Sequence, residues 1–135
     1  MPDKIRLLLI DDEQDMLELL YYHLGLFGFE VYTASDGPSG LKLAQNEKFD
    51  LILLDWMMPG MNGLEVLSEL KHNKKTEEIP VFMFTAKGIV EDIDQAFDIG
   101  ADDYIVKPIE GDELAKRLKA KLAKYEAKKR AQKPV

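Results

Sequence analysis

The sequence predicts an α/β fold in which helices cover both faces of a doubly wound parallel sheet. Short apolar runs alternate about five times with segments whose apolar residues recur at helical spacing, the pattern of consecutive βαβ units. The connections between these segments suit only parallel crossovers. Several of the runs end in acidic residues, a threonine or a lysine, and this places polar side chains at one edge of the sheet.

Length and composition are those of one folded domain. The chain has 135 residues, of which 46% are hydrophobic and 32% charged. The absence of cysteine excludes a disulfide framework and a thiolate site, and it fits a reducing, cytoplasmic location. A net charge of -7 disfavours direct nucleic-acid binding, and no apolar run approaches the roughly 20 residues of a membrane span. We therefore expect one domain at 1–128, followed by a basic tail or linker at 129–135.

The first half of the chain contains three predicted strands and two predicted helices. Unbroken apolar runs, such as the one that ends at Asp55, are typical of strands buried on both faces. Apolar residues at helical spacing mark the helices, and the first of these stops at Gly28. In chain order, the predicted elements are a strand at 5–10, a helix at 16–27, a strand at 30–33, a helix from residue 37 and a strand at 51–55.

The second half repeats the alternation of strand and helix. The charged stretch 71–78 predicts a solvent-exposed link, and Gly100 occupies the position at which a left-handed helix cap is expected. In chain order, the predicted elements are a helix at 64–70, a strand at 81–84, a helix at 89–99, a strand at 103–106 and a helix at 114–125.

Polar side chains follow the ends of four predicted strands. Asp11 and Asp12 follow the first, Asp55 ends the third, Thr85 follows the fourth and Lys107 the fifth. Because parallel strands end at the same edge, we expect these residues to converge in one pocket. Neighbouring carboxylates suit a hard cation such as Mg2+, whereas a lysine and a hydroxyl suit a phosphoryl group. The carboxylate of Asp55 could then act as the nucleophile that forms an aspartyl phosphate.

Taken singly, each of these residues has an ordinary structural explanation. Asp11 or Asp12 could cap the first helix, Thr85 could be a strand-end hydroxyl and Lys107 a solvated lysine. Their coincidence at four strand ends favours a site. The residues after Asp55 are apolar: Met58 is expected to pack in the core, whereas Trp56 could either pack or form a partner surface.

Four motifs resemble those of the receiver domain of two-component response regulators. They are LLLIDDEQDM, LLDWMMPGMNGLEVL, FTAKG and GADDYIVKPI, and the resemblance extends from residue 5 to about residue 124. It implies a flavodoxin-like, five-stranded sheet with strand order 2-1-3-4-5. It also implies a signalling switch rather than an enzyme that turns over a substrate.

The resemblance assigns a role to each acid. It makes Asp55 the phosphoacceptor, charged by a sensor histidine kinase or a phosphotransfer protein. Asp12 directly, Asp11 through water, Asp55 itself and the backbone carbonyl of Met57 would hold Mg2+ or Mn2+.

The resemblance also implies a conformational switch. Lys107 would contact the phosphoryl oxygens, and Pro108 would follow a cis peptide bond. Thr85 would turn toward the phosphoryl group, and Tyr104 would move into the space that opens. The fourth and fifth helices would then repack to control an output domain or a target protein.

Two further sets of residues come from the same resemblance. Met57 and Lys87 occupy positions that tune hydrolysis of the acyl phosphate, and an apolar Met57 predicts slow self-dephosphorylation. Charged residues on the fourth helix, fifth strand and fifth helix resemble those of a phosphorylation-dependent homodimer, although Ile93 stands where a basic residue is expected. These charged residues are Asp98, Asp102, Asp103, Glu113, Arg117 and Lys119.

Other classes of function are disfavoured by single positions. A phosphatase of the haloacid dehalogenase type needs an aspartate two residues after its nucleophile, but Met57 follows Asp55 and Glu13 follows Asp11. A flavodoxin-like cofactor binder needs a loop rich in hydroxyl groups and glycine after the first strand, whereas the acids there would repel a flavin phosphate. A degenerate receiver that acts only through protein contacts is disfavoured by the complete set of acid, hydroxyl and lysine.

Overall fold

A computed structural model, which describes residues 4–86 and 93–132, shows a five-stranded sheet with helices on both faces. All strand pairs are parallel, and the order is β2-β1-β3-β4-β5, which confirms the predicted topology. In chain order, the elements are β1 Ile5–Ile10, α1 Gln14–Gly25, β2 Phe29–Ala34, α2 Gly37–Asn46, β3 Leu51–Asp55, α3 Gly63–Lys71, β4 Val81–Ala86, α4 Ile93–Ile99, β5 Asp103–Lys107 and α5 Gly111–Gln132.

Each face of the sheet carries its own apolar core. Side chains alternate between the faces along a strand, so Leu7 and Leu9 of β1 pack with α1 and α5, whereas Leu8 and Ile10 pack with α2, α3 and α4. All four of these residues are fully buried. The unbroken apolar runs therefore identified strands covered on both sides.

The first helix differs from its prediction at both ends. It covers Gln14–Gly25 rather than 16–27, because Leu26 and Phe27 form a turn in which their backbone N–H groups donate to His23 and Leu24. Gly28, with φ of 93°, then reverses the chain into β2. Phe27, the last residue of the predicted apolar pattern, is 39% exposed, so the pattern continued into the turn without marking a buried position.

The last helix is longer than predicted. It continues to Gln132 through residues expected to form a tail, since lysine, alanine and arginine are strong helix formers. Lys129 Nζ, half-buried, donates to Glu78 Oε2 at 2.6 Å. The predicted helix at 89–99 is described from Ile93 onwards, because residues 87–92 lie outside the described ranges. Among the described residues, no helix is both long and apolar enough to cross a membrane.

The prediction that residues 71–78 form a solvent-exposed link is wrong for two of these residues. Lys71 belongs to α3, and its side chain is only 13% exposed. Its Nζ donates to Ile79 O at 2.9 Å and to Asp102 Oδ2 at 3.1 Å. Thr76 is 1% exposed and donates its hydroxyl to Leu70 O. Both polar groups can lie largely out of solvent because α3 and the neighbouring loops supply their hydrogen-bond partners.

Replacing Lys71 by Met is expected to lower the free energy of unfolding by about 2 kcal/mol, since two carbonyl groups and Asp102 would lose their cation in a largely buried place. Urea denaturation measures this loss. The exposed Lys74 provides a matched control, and Lys74→Met should change stability by less than about 0.5 kcal/mol. Equal losses in the two variants would contradict the assigned role of Lys71.

Candidate functional site

The carboxyl edge of the sheet brings the two buried acids side by side. Ile10 of β1 is paired with Leu54 of β3, so Asp11 and Asp55 are the next residues on adjacent strands. Both lie on the face covered by α1 and α5, because they alternate with residues that point to the opposite face. Asp11 is fully buried and Asp55 is 6% exposed. Both carboxyl groups are therefore largely shielded from water.

Asp12 completes a cluster of three carboxylates. It is exposed, and one side-chain oxygen of each of the three acids lies within 4.8 Å of the others. Three all-oxygen groups at this spacing fit a hard divalent cation that keeps several water ligands. Two of the three acids are buried, so water screens their mutual repulsion poorly. A bound cation would relieve this repulsion.

Lys107 supplies a positive charge to this cluster. Its Nζ donates to Asp11 Oδ2 at 2.9 Å and to Asp55 Oδ1 at 3.2 Å, and lies 4.0 Å from Glu13 Oε1. Burial lowers the pKa of Lys107, but the hydrogen bonds and charges of Asp11 and Asp55 outweigh this effect and raise the pKa overall. The lysine therefore stays protonated at neutral pH.

The carboxyl group of Asp55 is a weaker acid than an ordinary aspartate. Burial, followed by the charge of Asp11, raises the pKa of Asp55 to about 7, and the neighbouring Lys107 only partly opposes this. Near neutral pH, the carboxyl group of Asp55 can therefore lose its proton when another positive charge comes close. A metal ion beside it would favour the carboxylate form.

The loop after Asp55 is anchored at both ends. Gly63 N donates to Trp56 O at 2.8 Å, and Asn62 forms a reciprocal capping box with Glu65 at the start of α3. Trp56 is 6% exposed and lies in the core. The open question about Trp56 is thus resolved in favour of packing.

The two methionines of this loop have different surroundings. Met58 is 7% exposed and packs in the core as predicted, whereas Met57 is 63% exposed. The position two residues beyond Asp55 is therefore an apolar side chain at the surface beside the acid cluster.

Thr85 and Tyr104 lie on the opposite face of the sheet from Asp55. Thr85 is fully buried, and its hydroxyl donates to Ala86 O at 3.3 Å. Tyr104 packs against the core under α4, with its ring edge-to-face with Phe97 at a centroid distance of 6.3 Å. The peptide bond between Lys107 and Pro108 is cis, in agreement with the resemblance.

The predicted dimer acids have different surroundings. Asp102 is paired with Lys71, and Asp103 Oδ1 accepts a hydrogen bond from Lys121 Nζ at 2.9 Å. Asp98 is exposed on α4. Two of these three aspartates are therefore already engaged within their own chain.

The remaining residues of that set lie on different sides of α5. Glu113 and Arg117 pair with each other along the helix at 3.2 Å. Lys119 Nζ lies 5.7 Å from the ring centroid of Phe29 in β2, at the other edge of the sheet from α4. The structure does not bring Lys119 together with Asp98. Lys87 lies outside the described residues.

Two neighbours of Lys107 were missed in the sequence. Glu13 approaches its ammonium group as described above, and the Phe84 ring lies beneath it, with 4.8 Å between Nζ and the ring centroid. Alternation along β4 could have indicated Phe84, since it precedes Thr85 and must face the other side of the sheet. Nothing in the sequence indicated that the lysine would pass above that ring.

Comparison with known proteins agrees with the fold and identifies the family. The family model of the response regulator receiver domain matches residues 7–119. The DNA-binding dual master transcriptional regulator RpaA of Synechocystis is 41% identical over 87% of this chain and 48% of its own length. The phosphate regulon transcriptional regulatory protein PhoB of Pseudomonas aeruginosa is 41% identical over 86% of this chain and 51% of its own length. The chain thus spans about half the length of these curated relatives.

A solved structure of a receiver domain has the same fold as this chain. A CheY-like response regulator receiver domain protein from Methanospirillum hungatei superimposes with a TM-score of 0.83 at 31% identity. The match covers 93% of this chain and 99% of that one. The structural match and the family match therefore cover the same large part of the chain.

Proposed function

Since the chain belongs to the response regulator receiver domain family, and is thus a phosphorylation-dependent signalling switch, we propose that Asp55 is its phosphoacceptor. The observation that carries this proposal is the position of Asp55 at the end of β3, nearly buried, with Lys107 Nζ at 3.2 Å and two further acids beside it. The comparisons give no support to the phosphatase alternative.

A divalent cation belongs to this proposal. Asp11, Asp12 and Asp55 would hold Mg2+ or Mn2+, and the backbone carbonyl of Met57 would be a further ligand. When bound, the cation neutralises the acids and the charge on the phosphoryl oxygens.

Asp55 and Lys107 have different roles in the transfer of the phosphoryl group. A carboxylate oxygen of Asp55 forms a bond to phosphorus while the bond from phosphorus to the donor atom breaks, and the product is an acyl phosphate. The Lys107 ammonium, already hydrogen-bonded to Asp55, donates instead to the phosphoryl oxygens. The domain thus promotes its own phosphorylation and slow dephosphorylation without turning over a separate substrate.

The phosphoryl group would then bias a two-state element. The Thr85 hydroxyl, which now donates to Ala86 O, would turn to a phosphoryl oxygen. Tyr104 would move inward from its contact with Phe97, and the surface of α4, β5 and α5 would repack.

A phosphorylation-dependent homodimer through that surface stays a hypothesis. Its charged set would have to form without Lys119, and Asp102 and Asp103 would have to exchange their present partners. Sedimentation with and without beryllofluoride, a phosphoryl mimic, tests it, and a monomer under both conditions would exclude the dimer.

The surface beside the site supports a protein as the phosphodonor, a sensor histidine kinase or a phosphotransfer protein in the cytoplasm. An apolar groove of about 1040 Å3 runs next to Lys107 between α1 and the β5–α5 connection, and Leu19, Pro108 and Ile109 line it. An output domain or a separate target protein would receive the signal. We propose no direct nucleic-acid contact by this domain, because its net charge is -7.

Mass spectrometry after incubation with acetyl phosphate tests the phosphoacceptor. With Mg2+, the wild type should gain one phosphoryl group that hydroxylamine removes, and chelation of the metal should prevent the gain. Asp55→Asn should gain none, whereas Asp94→Asn, at an exposed acid of α4, should behave like the wild type. Equal phosphorylation of Asp55→Asn and wild type would refute the assignment.

Met57→Asn is expected to shorten the lifetime of the phosphorylated protein roughly tenfold, because an amide can orient an attacking water and a thioether cannot. Met57 is exposed, so the substitution should leave folding intact. Decay of the phosphorylated mass with time measures the lifetime. An unchanged lifetime would contradict the predicted role of this position.

A further inference from the structure

Lys107 reaches Asp55 by crossing a whole strand. The two residues belong to β5 and β3, and β4 lies between them. Ala86 is paired with Lys107, and Phe84 is paired with Asp55. All four side chains start from the same face of the sheet because of the alternation along each strand. The lysine side chain therefore passes over the small Ala86, and its end comes to lie above Phe84.

The ring of Phe84 is buried directly beneath the ammonium group of Lys107. It is 2% exposed, and its centroid lies 4.8 Å from Lys107 Nζ. The face of an aromatic ring carries partial negative charge and attracts an ammonium group, most strongly where water is excluded. The lysine side chain is only 18% exposed, so this contact is shielded from solvent.

The ring also differs in kind from the other partners of the lysine. Asp11 and Asp55 accept hydrogen bonds from the ammonium group, whereas an uncharged ring leaves its N–H groups free for oxygen acceptors. A phosphoryl group on Asp55 could therefore take over these hydrogen bonds without displacing the ring. The ring would hold the ammonium group in place before and after the transfer.

We propose that Phe84 is a positioning residue for phosphorylation: its ring face supports the ammonium group of Lys107 above β4 and presents it to the phosphoryl group on Asp55. The inference rests on the proposed role of Asp55 as phosphoacceptor. It assigns to an apolar core side chain a part in the reaction beyond packing.

Fluorination of the ring separates this role from packing. Phenylalanines with one, two or three ring fluorines, incorporated at position 84 of the full chain, reduce the negative charge of the ring face with little change in volume. The rate constant for phosphorylation by saturating acetyl phosphate with Mg2+ should fall stepwise, by roughly tenfold over the series. Melting temperatures should stay constant along the series.

Phe82 is the matched control. It is a fully buried phenylalanine of the same strand and core, and among the described residues no cation lies over its ring. The same fluorinated residues at position 82 should leave the rate constant unchanged. Leucine at either position should lower the melting temperature similarly, but only Phe84→Leu should reduce the ring-current shift of the Lys107 ε-protons.

Each outcome is decisive. A stepwise fall at position 84 alone supports the inference, and a flat series or an equal fall at position 82 overturns it. If the wild type itself takes no phosphoryl group, the proposed function fails and the inference fails with it. If the wild type is phosphorylated and the series is flat, the inference alone fails.

Discussion

Gly63→Ala is expected to lower the free energy of unfolding by about 3 kcal/mol, because the added methyl group would meet backbone atoms. A Cβ at this position would lie 2.7 Å from Trp56 Cα and closer still to the carbonyl oxygen of Asp55. That oxygen belongs to β3, which is paired on both sides within the sheet. The strand cannot retreat from the methyl group, so α3 must shift and the hydrogen bond from Gly63 N to Trp56 O must weaken.

Helix propensity alone predicts the opposite sign, which makes the test a sharp one. Alanine is favoured over glycine within a helix by up to about 1 kcal/mol. Gly25, at the end of α1, has no atom within 4 Å of an added Cβ, and Gly25→Ala should leave stability unchanged or raise it slightly. Urea denaturation of the two variants measures the difference. A Gly63→Ala protein as stable as the Gly25→Ala protein would exclude the proposed contact.

Asp55→Asn is expected to stabilise the metal-free protein at pH 8 by about 3 kcal/mol. Burial and the charge of Asp11 raise the pKa of Asp55 from its ordinary value of 3.8 to about 7 in the folded protein. Between these values the folded state retains a proton that the unfolded state has lost, so the stability of the wild type falls as the pH rises and reaches its lower level above pH 7. Asparagine cannot ionise and escapes this loss.

The pH dependence distinguishes this cause from a change in packing. The stability difference between Asp55→Asn and wild type should shrink as the pH is lowered toward 3.8, the ordinary value of the carboxyl group. Saturating Mg2+ should also reduce it, because a cation favours the carboxylate of the wild type. Thermal unfolding in a chelating buffer measures the effect. A wild type more stable than the variant at pH 8 would contradict the raised pKa.

The sequence alone determined the order of the elements and the edge at which the site lies. Unbroken apolar runs require burial on both faces, as for Leu51 to Leu54, which are all fully buried. Short connections then require parallel strands, whose ends share one edge. Asp11, Asp55 and Lys107 consequently converge although 96 residues separate the first from the last. The sequence was sufficient for this because apolar runs indicate which strands are buried, and the lengths of the connections indicate the direction of the strands.

The tertiary structure alone decided which polar and aromatic groups meet. Lys71 looked like part of an exposed link, yet its side chain is only 13% exposed, because Ile79 O and the carboxylate of Asp102, 31 residues away, accept its hydrogen bonds. Lys119 looked like a neighbour of α4, yet it lies over Phe29. The approach of Lys107 to Phe84 depends on strand order, register and the direction of one long side chain. A sequence pattern records whether a position is apolar or charged, but not which partner a flexible side chain reaches across a strand.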